Sequence, residues 1–202
     1  MSRSSTKHPT LALRLMGERR AIRVFGLILS ILALAACGGG EHFRPVSDVP
    51  VRIGQPYTVR GTTYVPAANP AYDQVGYATW YGNESGNKTA SGERFEAKWI
   101  TAAHTTLPLP TYVEVTALNS GKRIIVRVND RGPFAGHRRI IDLSRGAAEQ
   151  LGIKSTAPVR VRVVQPSEKD RERLRQGKPT RPLGPVPERE LSRLRQQLAS
   201  GG

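Results

Sequence analysis

Three short stretches carry the residue types from which chemistry is made. NDRGP (129–133) sets Asp130 and Arg131 at the end of an alternating run, just before a Gly-Pro turn. Strand ends that feed glycine turns are where a rigid scaffold holds functional side chains. A carboxyl group there can give and take a proton; it can equally cap its own turn or pair with Arg131. KTASGERF (88–95) and TAAH (101–104) add Glu93 and His104. Both are candidate acid/base groups, although a Glu in a Ser-Gly-Glu turn also reads as a solvated charge and a lone His as a structural one. WYG (80–82) adds Trp80 and Tyr81 at the end of an extended run, as core residues or as a face for stacking. The four histidines, at 8, 42, 104 and 137, and the single cysteine form no ligand cluster. No metal and no cofactor are therefore expected, and one cysteine excludes an internal disulfide.

These residues need strands to position them, and residues 76–165 hold nearly all the strand signal. GYATWY (76–81) is aromatic and extended, and YVEVTAL (112–118) alternates. RIIVRV (123–128) and VRVRVV (159–164) alternate basic with β-branched residues, one face in and one face out. RIIDL (139–143) is a short apolar strand, and Asn119-Ser120-Gly121 joins two alternating runs as a hairpin does. Ser144 can cap a helix over 145–151 that Gly152 ends; Asp142, just before it, reads as a structural residue. Five or six short strands with one helix in about 90 residues predict a small closed barrel, mainly β.

The flanks differ. Residues 19–37, RRAIRVFGLILSILALAAC, place basic residues before an apolar run and small residues before Cys37. That is the order of a secretory signal, and about 13 apolar residues are too few for a spanning helix of about 20. Met16 is a second possible start. Residues 37–75 hold Pro45, Pro50, Pro56, Pro66 and Pro70, too many for a helix. They predict a linker with short extended pieces at 57–60 and 62–65, ending by packing on the domain. Residues 166–202 have helical charge spacing, little apolar surface and prolines at 179, 182, 185 and 187. They predict a mobile basic tail with one or two marginal helices. The net charge of +15 divides as +5 in 1–37, +6 in 38–165 and +4 in 166–202. It reads as a signal segment plus solvated tails, and an exported chain does not meet nucleic acid.

Residues 76–153 resemble the rare lipoprotein A (RlpA) family. The resemblance is carried in order by GYATWYG (76–82), KTASGERF (88–95), TAAHTTLP (101–108), VRVNDRGPF (126–134), RIIDLS (139–144) and AAEQLGI (147–153). It implies a six-stranded double-psi β-barrel with one or two short helices, and a lyase that cleaves peptidoglycan glycan strands by lytic transglycosylation during daughter-cell separation. A non-catalytic, expansin-like wall binder is the alternative. By the same resemblance Asp130, Glu93 and His104 are the catalytic positions: Asp130 as general acid and base, Glu93 as its carboxylate neighbour or as stabiliser of developing positive charge, His104 as orienting group. Tyr81, Trp80 and Arg131 are substrate-binding candidates, with Tyr81 nearer the groove, Trp80 partly packed and Arg131 pointing away from Asp130. LAAC (34–37) resembles a lipobox. It implies an acylated Cys37 after a signal over 1–36 and a periplasmic protein anchored to the outer membrane, against a plain signal with a stray cysteine. Cell-division proteins are possible partners. Residues 166–202 are too short for the peptidoglycan-binding SPOR domain of many relatives.

Overall fold

A computed structural model describes residues 42–82, 86–136 and 138–201. The leader and Cys37, on which the signal and anchor expectations fall, lie outside the described residues, as does His137. The strands are β1 (Tyr57–Val59), β2 (Thr62–Tyr64), β3 (Asp73–Tyr81), β4 (Thr101–Ala103), β5 (Thr111–Ala117), β6 (Arg123–Asp130), β7 (Arg139–Ser144) and β8 (Ala157–Val163). The helices are α1 (Arg145–Leu151), α2 (Glu168–Arg175) and α3 (Glu188–Ala199). No described helix is long and apolar enough to cross a membrane.

Six strands close a barrel in the order β3-β7-β4-β6-β5-β8. The pairs β3/β7 and β4/β6 run parallel and the others antiparallel. Alternation builds the core as the sequence predicts: Val113 and Val115, Val126 and Val128, Ile141 and Leu143, Val159 and Val161 are all buried inside. Helix α1 starts and stops where expected. The Ser144 side chain accepts from Ala147 N, and Gly152 takes the left-handed conformation at φ 74°.

The N-terminal flank has the expected extended pieces and packs on the domain, while the C-terminal one departs from expectation. Part of the outer face of the barrel is covered by the flanks. The proline-rich segment 43–72 runs along it in extended form, pairing Arg52 with Leu109 and bonding Ala67 N to Thr106 O at 3.0 Å. Within it β1 and β2 form a hairpin through Arg60 and Gly61, both at positive φ, as a two-residue primed turn requires. Residues 166–201 form the expected helices, yet they are packed and not free. Leu174 joins the barrel core, and Leu191, Leu194 and Leu198 of α3 bury against Val75 and Leu118. Spacing of three and four residues puts those leucines on one stripe of a helix that is otherwise charged. The prolines between α2 and α3 make an extended link. Arg123 donates to Gly184 O at 2.7 Å and Val186 N to Gly121 O at 3.0 Å along it.

Candidate active site

The parallel strands β4 and β6 end side by side, and their ends carry the candidate residues. His104 N donates to Asp130 O at 3.0 Å. The pairing shifts by one between Ala102 and Ala103, so that Ala102 faces Val128 but Ala103 faces Asp130. This bulge leaves Asn129 as the extra residue and re-aims the end of β6. After Asp130 the chain turns at Gly132, φ 140°, where a Cβ would lie 3.6 Å from that of Ala103.

Asp130 is half-buried. Its Oδ1 accepts from Ala90 N and from Arg131 N, both at 2.8 Å. Its Oδ2 has no hydrogen bond among the described residues. Burial raises the carboxyl pKa above the usual aspartate value; the two N–H donors and the Arg131 charge offset only part of this. One oxygen is therefore fixed in place, and the other is open to carry a proton.

Glu93 is brought to the same end of the barrel, but in another role. It is 3% exposed. Its oxygens accept from Arg127 Nη1 at 2.7 Å, from Arg127 Nη2 at 2.8 Å and from Asn129 Nδ2 at 2.8 Å. Arg127, 1% exposed, also reaches Asp48 Oδ1 at 3.2 Å and Ser47 O at 2.7 Å. The expected neighbouring carboxylate thus faces Arg127 and Asn129, and burial alone raises the Asp130 pKa. Glu93 fixes the 89–93 loop: Ser91 N bonds Asn129 O at 3.1 Å, and Ala90 N reaches Asp130. Gly92 lets the 43–72 segment close on this loop. It sits at φ 87°, with Arg44 N bonded to its carbonyl at 2.7 Å, where a Cβ would come within 2.9 Å of Arg44 Cδ.

His104 is 2% exposed, and its Nδ1 accepts from Thr106 N at 3.1 Å and Leu107 N at 3.0 Å. The ring packs edge-on against Tyr72 at 4.9 Å. Burial and then the Arg131 charge pull its pKa down to about 4, so it is neutral with its proton on Nε2. It shapes the 104–107 turn. Arg131 points away from the Asp130 carboxylate, as expected. Its guanidinium is tied to Leu107 O at 2.6 Å, His104 O at 3.2 Å and Ile53 O at 2.9 Å, which makes it a brace for the site rather than a free ligand hook.

The two ring candidates differ in exposure. Tyr81 is half-buried and stacked on Phe95 at 5.0 Å, with its hydroxyl oxygen enclosed and within electrostatic reach of Asp130 and Asp142. Burial, reinforced by those carboxylates, pushes its hydroxyl well above the usual tyrosine value. One face of the ring is covered by Phe95. Trp80 is 38% exposed and donates to Lys154 O at 3.2 Å.

Sequence reasoning set Asp142 aside. It registers with Ala103 from the β7 side while Asp130 registers with it from the β6 side. Two strand spacings put their backbones on the order of 10 Å apart. Arg139 grips Asp142 at 2.5–3.2 Å, and burial nonetheless raises the pKa of this second carboxyl above the usual aspartate value. The shared register with Ala103 was the signal, and only strand order reveals it. Among the described residues no group of His, Cys, Asp and Glu could hold a metal.

A closed six-stranded barrel with two parallel pairs and a strand-end aspartate defines the molecule as a double-psi β-barrel protein with a candidate acid/base site. Residues 73–163 match the family described as lytic transglycolase. The endolytic peptidoglycan transglycosylase RlpA of Pseudomonas aeruginosa UCBPP-PA14 is 54% identical over 110 residues, 54% of this chain and 32% of that protein. Its namesake in Neisseria meningitidis serogroup A is 48% identical over 151 residues, 69% of this chain and 63% of that protein. Through this barrel the chain is similar to the RlpA proteins, and it spans about a third of the length of the Pseudomonas relative. Among solved structures, a Streptomyces papain inhibitor aligns over 49% of this chain and 100% of its own at 22% identity and TM-score 0.40. A Clavibacter michiganensis expansin mutant in complex with cellohexaose aligns over 48% and 52% at 21% and 0.39.

Proposed function

We propose that the protein is a lytic transglycosylase, a lyase that cleaves the MurNAc–GlcNAc bond of peptidoglycan and leaves 1,6-anhydro ends. The observation that carries this reading is the divided Asp130 carboxyl, with Oδ1 pinned by two N–H groups, Oδ2 open and the pKa raised by burial. The protonated Asp130 Oδ2 gives its proton to the glycosidic oxygen as the C1–O bond breaks. The muramic 6-hydroxyl, tethered to the same ring, forms the new bond to C1 and returns its proton to Oδ2. Tethering supplies the effective concentration that would otherwise demand a bound water and a second carboxyl. One free carboxyl is enough for this route. Hydrolysis by the common route needs two, and here Glu93 and Asp142 are both held by arginines.

In this reading Cys37 is acylated, the protein works in wall remodelling and daughter-cell separation from the periplasmic side of the outer membrane, and division proteins are its neighbours. Three acyl chains would anchor firmly where one anchors marginally. Cys37→Ser should then move the protein to the soluble fraction or block its processing, and unchanged fractionation refutes the anchor.

The test of the chemistry is digestion of purified wall glycan followed by mass analysis of the ends. Anhydro ends from the wild type and a loss of about 10²–10⁴-fold in Asp130→Asn are expected. Reducing ends would show hydrolysis instead. Binding without cleavage by the wild type would establish the expansin-like alternative, and full activity in Asp130→Asn would defeat the assignment.

A further inference from the structure

Both short strands of the β1–β2 hairpin lie outside residues 73–163, and a hairpin of this size is marginal by itself. It is docked on the two segments that carry the site. The Tyr57 hydroxyl donates to Thr105 O at 2.7 Å, next to His104, and the preceding chain gives Ile53 O to Arg131. Tyr57 and Tyr64 are cross-strand partners and stack at 5.4 Å with 23° between planes. Both meet Phe134, four residues beyond Asp130, at 6.0 Å and 5.6 Å. All three rings are half-exposed, and none belongs to either buried core. The Tyr57 hydroxyl lies within electrostatic range of Arg131 and Asp130.

We infer that this hairpin is one wall of the glycan groove, and that Tyr57, Tyr64 and Phe134 form the platform on which a sugar ring adjoining the cleaved bond stacks. The inference rests on the proposed activity and adds an aromatic subsite to it, one carried by the hairpin and the turn after Asp130 rather than by Trp80 and Tyr81 of β3. A pyranose presents a face of C–H groups edged by hydroxyls. Flat, half-exposed aromatic faces beside a carboxylic acid match that pattern, because they cover the C–H face and leave the hydroxyls in water. A hairpin that needed only to be held down would gain by burying its rings in the barrel core. These rings instead pack on one another and on the turn that follows the acid.

The test compares the wild type, Asp130→Asn, Tyr64→Leu and Phe134→Leu in co-sedimentation with purified peptidoglycan sacculi, with thermal unfolding run alongside. Leucine keeps apolar packing and removes the flat face. Each leucine variant should melt within a few degrees of the wild type and bind glycan about tenfold more weakly. In the cleavage assay KM should rise by more than kcat falls. Binding by both leucine variants as tight as that of the wild type overturns the inference and leaves the proposed activity standing. If neither the wild type nor Asp130→Asn binds sacculi, the activity and the inference fall together. Loss of binding that follows only from a collapse in melting temperature would make the rings structural, and would also refute it.

Discussion

Glu93→Gln tests whether Glu93 acts on the sugar or on the scaffold. The wild-type carboxylate accepts three hydrogen bonds, two from Arg127 and one from Asn129, and both charged partners are almost fully buried. In glutamine an NH2 replaces one oxygen. In its better orientation it faces Arg127 Nη2, setting donor against donor, while the remaining oxygen still serves Nη1 and Asn129. The larger loss is charge. Breaking a buried pair on one side costs about 3–5 kcal/mol. The lower end applies, because Asp48 still reaches Arg127 at 3.2 Å. About 3 kcal/mol in a protein of this size lowers Tm by roughly 6–12 °C. Cleavage should also fall, because the 89–93 loop that supplies Ala90 N to Asp130 loses its anchor. The assay pairs circular-dichroism melting with anhydro-end formation measured well below the lowered Tm. An unchanged Tm with cleavage abolished would refute the reasoning: Glu93 would then touch the sugar, and its grip on Arg127 would be incidental.

Other outcomes follow from the same geometry. His104 is held at a pKa of about 4 against 6.5 when unfolded, so below pH 6.5 the unfolded chain takes up a proton that the fold refuses. Stability should drop by ~3 kcal/mol as pH falls from 6.5 to about 4, and His104→Asn should flatten that slope in pH-dependent melting. The raised pKa of Asp130 works the other way, since its ionised form destabilises the fold. Asp130→Asn should therefore melt higher than the wild type at neutral pH. The gain should shrink as pH falls through the raised folded pKa and vanish below the unfolded value of 3.8. Leu194→Ala opens the 3% exposed seam under α3 and should cost about 2–5 kcal/mol. Tryptic cleavage at Arg189 or Arg193 should accelerate, and unaltered protease resistance would show that the seam does not hold the helix.

Alternation along β5, β6 and β8 was enough to read the barrel from the sequence, and Ser144 with Gly152 framed α1. What alternation cannot say is what covers a strand's outer face. Arg127 looks solvent-bound in RIIVRV because its partners, Glu93 and Asp48, lie 34 and 79 residues away. The charged character of α3 hid three leucines whose complement, Val75 and Leu118, belongs to the barrel. Tyr57 and Tyr64 sat in a proline-rich stretch with no visible reason to meet Phe134. The same limit governs the site. Asp130, Glu93 and His104 are alike as polar residues near strand ends, and their types alone assign all three to chemistry. They separate only through their partners. Glu93 has every oxygen engaged, His104 gives its Nδ1 to two backbone N–H groups, and Asp130 has one oxygen fixed and the other without a hydrogen bond among the described residues. That difference arises from where two backbone N–H groups, Ala90 and Arg131, happen to point. Backbone direction at a bulge and a glycine turn is set by the closed barrel as a whole, so the NDRGP motif could mark Asp130 as the acid/base candidate but not show that one of its oxygens is pinned by two N–H groups.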